Sequence, residues 1–85
     1  MVHLRIVAPS HSSEHVLHLL EATPSACNVV FLERAAYKPE GDVILVDVAR
    51  EDASVIVSDL REYGLEAEGS IAMEDIDSMV SEAGE

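Results

Sequence analysis

The chain is poor in almost everything that advertises a chemistry. Among its 85 residues there is one cysteine, no tryptophan, a single phenylalanine and two tyrosines. One thiol builds neither a disulfide framework nor a thiolate cluster within a chain. Cys27 stands in an apolar run and reads as an inert core residue. Basic residues are nearly as scarce: five Lys and Arg stand against seventeen Asp and Glu, for a formal net charge of -12. No Lys or Arg follows Arg61, whereas Glu62, Glu66, Glu68, Glu74, Asp75, Asp77, Glu82 and Glu85 do. Such a field repels phosphate backbones and anionic membrane surfaces, which argues against nucleic acid as a partner. No basic flank precedes a long apolar stretch at the N-terminus, so no signal peptide is read. No apolar run approaches the roughly 20 residues that span a bilayer. These residues are expected to work in the cytoplasm.

What is present is a repeat of strand and helix. Val2 to Ala8 alternates Val2, Leu4, Ile6 and Ala8 against His3, Arg5 and Val7, the pattern of a half-buried strand. Pro9 ends it, and Ser10 or Ser12 is placed to cap a helix from Ser13 to Ala22. Val16, Leu17, Leu19 and Leu20 give that helix its apolar face, with Glu14, His15, His18 and Glu21 opposite. A second strand, Cys27 to Leu32, is apolar on both faces; a loop through Lys38-Pro39-Glu40-Gly41 turns the chain into a third, Asp42 to Val48. Ala53, Ile56, Val57, Leu60 and Tyr63 mark a helix over Arg50 to Tyr63, with Glu51 and Asp52 in its first turn and Gly64 as its stop. Leu65 to Met73 reads as a last strand, with Glu66 and Glu68 suited to a sheet edge.

The order β-α-β-β-α-β with right-handed crossovers implies a ferredoxin-like α/β sandwich: a four-stranded antiparallel sheet with two helices on one face. Strands one and three lie in the centre, strand two outside three and strand four outside one. Residues 1–73 form this domain. Residues 74–85 are an acidic tail or linker in which Ile76, Met79 and Val80 keep helical spacing.

Two helices on one face leave the other bare. Turning Leu4, Ile6, Ile44, Val46 and Val48 toward the helices leaves His3, Arg5, Val7, Val43 and Leu45 outside, with Asp47 beside Arg5. Strand two offers Val30 and Leu32, or Val29 and Phe31, to that side; continuous apolar runs suit strands covered on both faces. Large exposed apolar patches mark interaction surfaces. The simplest cover is a second copy, burying on the order of 800 Å² per partner.

The chemical candidates are thin. His11, His15 and His18 recur at i, i+4 and i+7, so one helical stripe holds three imidazoles that can ligate Zn²⁺ or Ni²⁺. A polar helix face that happens to use histidine is the favoured explanation, because nothing holds the three rigid and His11 lies at the start of the helix. Ser10, Ser12 and Ser13 beside His11 and Glu14 are too close in sequence to form a triad geometry. The first loop has no Cys for a metal chaperone, no Arg for an acylphosphatase-like phosphate cradle, and no Gly of the kind common in amino-acid-binding ACT domains. The central strands lack the stacking aromatics of RNA binders. No catalytic residue and no cofactor is expected.

Three stretches, His3-Leu4-Arg5-Ile6-Val7-Ala8-Pro9, Gly41-Asp42-Val43-Ile44-Leu45-Val46-Asp47-Val48-Ala49-Arg50-Glu51, and Gly69-Ser70-Ile71-Ala72-Met73-Glu74-Asp75-Ile76-Asp77 after Gly64-Leu65, resemble one family. It is the bacterial and archaeal family of hydrophobic membrane proteins of unknown function, in which a soluble N-terminal α/β domain precedes a multi-helix membrane region. The resemblance covers nearly the whole chain but rests on structural motifs. It implies a non-catalytic cytoplasmic regulatory or oligomerisation domain, with the membrane region of the full-length protein as a partner and the tail as the linker toward it. The alternative is a free-standing ACT-like domain that binds a small-molecule effector.

Overall fold

The computed structural model describes residues 1–78 and 80. Six elements follow the order read from the sequence: β1 Val2–Ala8, α1 Ser13–Glu21, β2 Cys27–Tyr37, β3 Glu40–Val48, α2 Arg50–Tyr63 and β4 Ser70–Asp75. The strands form one antiparallel sheet in the order β2-β3-β1-β4. With two helices this is a ferredoxin-like β-α-β-β-α-β fold. The pairing of Leu4 with Val46 and of Ile6 with Ile44 places the inward sets of both central strands on one face. There Val2, Leu4, Ile6, Ala8, Ile44, Val46 and Val48 bury themselves against Val16 and Leu20 of α1 and Ala53, Ile56 and Leu60 of α2. Each Val, Leu or Ile among them contributes about 1.5–3 kcal/mol on burial, which fixes the register of both central strands.

The start of α1 follows a different rule from the one expected. No side chain caps α1; instead Ser10–Ser12 form a 3-10 turn in which the Ser12 N–H donates to the Pro9 carbonyl at 2.8 Å. Ser12 and Ser13 are buried, and Ser13 turns its hydroxyl onto Asp42. The α2 terminus is as the sequence predicts: Gly64 takes the left-handed conformation, with φ at 89°. Ser25 ties the start of α2 to the loop before β2, accepting the Ala49 N–H at 3.0 Å and donating to Asp52 at 2.5 Å.

Three strands differ from the sequence reading, β3 by starting at Glu40 and not Asp42, so that Glu40 and Gly41 extend the pairing with β2 instead of lying in the loop. The expected last strand from Leu65 begins only at Ser70, because Leu65–Ala67 form a 3-10 turn that drops Leu65 into the core. Glu66 and Glu68 therefore belong to the turn and do not guard the edge. Gly69 follows because a Cβ there would collide with the Val7 carbonyl oxygen. The strand runs on to Asp75, past the boundary read at Met73, and the Ile76 N–H donates to the Met1 carbonyl at 3.0 Å. The helical spacing read over Ile76, Met79 and Val80 depends on Met79, which lies outside the described residues, as do residues 81–85.

Strand β2 is longer than expected, continuing to Tyr37, and meets β3 through a two-residue turn with a cis Lys38–Pro39 bond. It reaches this length through two irregularities, where Asn28 (φ 54°) and Arg34 (φ 52°) adopt left-handed conformations and the pairing with β3 shifts. Its apolar run is not covered on both faces. Val29, Val30, Phe31 and Leu32 all remain 40–45% exposed, because β2 is an edge strand. Cys27 at its start is half-buried and not part of the core.

Candidate functional site: the uncovered sheet face

Residues paired directly across antiparallel strands share a face. The register therefore lays out the side away from the helices as three rows. Glu74, His3, Asp47 and Cys27 make one; Ala72, Arg5, Leu45 and Val30 the next; Ser70, Val7, Val43 and Leu32 the last. All five expected interface residues, His3, Arg5, Val7, Val43 and Leu45, fall on this face. They do not contribute equal open surface. Val7 is only 9% exposed and Val43 and Leu45 are half-buried, so Val30 and Leu32 carry more of the open apolar area.

Asp47 does not sit opposite Arg5. It faces His3, whose Nδ1 lies 2.7 Å from one carboxylate oxygen, while Asn28 donates to the other at 2.8 Å. An ionised carboxylate only accepts, so the contact sets the proton on Nδ1. Asp47 thereby fastens the first irregularity of β2 to the central strand. Arg5 makes no ion pair among the described residues and stands free between Ala72 and Leu45.

On the opposite face Asp42 does for the second irregularity what Asp47 does for the first. It is 3% exposed and accepts the Ser13 hydroxyl, and the Arg34 N–H at 2.7 Å. The Ser13 hydroxyl, then the Arg34 amide, hold its pKa below the ordinary 3.8; burial opposes them and the Arg34 charge adds to them. Two aspartates five apart on one strand point to opposite faces. The sequence shows both, but nothing in it announces that each would brace a left-handed residue on the neighbouring strand.

The three helix histidines do not converge. His11 lies in the 3-10 turn, which breaks the phase of the stripe, and its Nε2 approaches Glu68 at 3.5 Å. His15 approaches Asp59 at 3.0 Å and stacks on Tyr63, with ring centroids 3.9 Å apart and planes within 6°. His18 faces Glu14 at 3.9 Å. Each imidazole thus takes its own carboxylate from a different part of the fold. Among the described residues no group of three His, Cys, Asp or Glu side chains is placed to hold a metal ion. Ser12 reaches only the adjacent His11, at 3.4 Å between Oγ and Nδ1, which is too long for an activated nucleophile.

One cleft of about 480 Å³ opens on the helix side, between the end of α1 and β2, lined by Leu17, Leu20, Thr23, Pro24, Ala26 and Val29 with Glu21 at its rim. Among the described residues no helix is long and apolar enough to cross a membrane. No protein-family model, curated protein or solved structure matches this chain.

Proposed function

We propose that this chain is a non-catalytic regulatory or assembly domain that pairs with a second copy of itself through the uncovered sheet face. The observation that carries this reading is the apolar strip formed on that face by Val7, Val43, Leu45, Val30 and Leu32, with no helix over it. Apolar surface gathered on one side of a small domain gains free energy when a partner excludes water from it. Arg5 supports the choice of a second copy. It is a cation with no ion pair among the described residues, at the centre of the face in a chain of net charge -12, and so lessens the repulsion between two approaching copies. Among the described residues each of the four histidines meets one carboxylate, and no nucleophile is assembled with its base.

The membrane context comes from the family resemblance: the domain would be the cytoplasmic head of a membrane protein of that family. Reading the coding sequence beyond Glu85 tests this part, with several apolar stretches of about 20 residues expected. Sedimentation equilibrium tests the association. The double variant Val43→Asp/Leu45→Lys should retain the far-ultraviolet spectrum of the parent and lose one step of association. An unchanged assembly in the folded variant refutes the reading.

A further inference from the structure

Among the described residues strand β2 pairs on one side only, with β3. Proteins usually protect such an edge with charge, proline or bulges. Here those devices stand at the ends of the exposed run: Asn28 before it, Glu33 and the left-handed Arg34 after it. Between them Val29, Val30, Phe31 and Leu32 are unprotected and stand 40–45% exposed on both faces of the strand.

Charge narrows the choice of occupant. Ala22 to Leu32 is the longest run in the chain free of Asp, Glu, Lys and Arg. Along this run a chain of net charge -12 brings no charge of its own against a copy of itself. In an antiparallel self-pairing Glu33 and Arg34 of one copy lie toward the Cys27 end of the other, so like charges stay apart. A two-fold axis perpendicular to the sheet keeps the helix faces of both copies on the same side, as closed symmetry requires.

The cleft fixes the register. Phe31 pairs with Ile44 and so projects to the helix side, as does Val29, which lines the cleft beside α1. Centring the pairing on Val30 sets Phe31 of each copy opposite Val29 of the other, at the mouth of the partner's cleft. We propose that the free edge of β2 is a second self-association surface, on which another copy adds its β2 antiparallel with Val30 on the two-fold axis and Phe31 in the neighbouring cleft. This edge presents the backbone of β2 with Val29 and Phe31 on the helix side, and it shares Val30 and Leu32 with the face-to-face contact proposed above. Two isologous surfaces on one domain build an assembly larger than a dimer.

Cysteine crosslinking tests the edge directly. Opposed Cβ atoms in antiparallel strands lie about 4.5–5.5 Å apart, close to the 3.5–4.5 Å of a disulfide. In a Cys27→Ala background, Val30→Cys should form a covalent dimer under mild oxidation at least tenfold faster than Val55→Cys, an exposed position on α2. Equal rates would overturn the proposal. Adding Val43→Asp/Leu45→Lys to the Val30→Cys chain should leave its rate unchanged, which separates failure of the face from failure of the edge. A rate that falls to the Val55→Cys level means the edge does not associate by itself and also overturns the proposal. Phe31→Lys, at a side chain already 42% exposed, should lower the mass in native mass spectrometry by one step of assembly. An unaltered mass in the folded variant would count against the cleft contact and the register built on it.

Discussion

Asp42 offers the sharpest test of how the sheet is held. Its carboxylate takes the Ser13 hydroxyl from α1 and the Arg34 N–H from β2, so one buried charge joins three elements. Asp42→Ala strands both donors. An unsatisfied buried donor costs about 1–3 kcal/mol, and rotation of the hydroxyl recovers part of its share, so the expected loss is about 2–4 kcal/mol. At roughly 4–8 °C per kcal/mol for a domain of this size, the melting temperature should fall by about 8–32 °C. Asp42→Asn keeps the shape and can still serve both partners, but it loses the ionic character that makes such bonds about twice as strong. About 1–2 kcal/mol should go. The pH dependence distinguishes charge from shape. Asp42 has a depressed pKa in the folded state, so its contribution is complete above the unfolded value, near 3.8, and disappears as pH falls through the folded value. Urea unfolding of the parent and Asp42→Asn from pH 7 to pH 3 should show a gap that is constant at neutral pH and narrows below about pH 4. A gap equally wide at pH 3, or none at pH 7, would refute the argument.

Other expectations follow from single positions. Gly64→Ala should cost about 1–2 kcal/mol in thermal unfolding from the left-handed backbone alone, since nothing lies within 4 Å of the added methyl. Gly69→Ala should cost more than Gly64→Ala in the same assay, because its Cβ collides with the Val7 carbonyl and pushes β4 from β1. His15→Ala removes the stack on Tyr63 and the Asp59 contact, and should lower stability by about 0.5–1.5 kcal/mol in urea titration. Calorimetric titration with Zn²⁺ or Ni²⁺ should give no stoichiometric heat at micromolar protein; tight binding abolished by His11→Ala would show that the histidines converge in solution.

Local pattern was enough for the order of elements, the span of α2, the sheet order and the inward faces of β1 and β3. Those follow from periodicities of two and 3.6 residues and from stops such as Gly64, all short-range signals. The same alternation put His3, Arg5, Val7, Val43 and Leu45 on the face away from the helices. What it could not supply was the identity of long-range partners. Asp47 meets His3 and Asn28 instead of Arg5, Asp42 meets Ser13 and Arg34, and His11, His15 and His18 go to three separate carboxylates. Leu65 reads as strand in a β-rich stretch, yet core burial and a 3-10 turn claim it. The exposure of Val29 to Leu32 was equally hidden. An apolar run looks the same in a covered central strand and in a bare edge strand, and only the assembled sheet decides which it is.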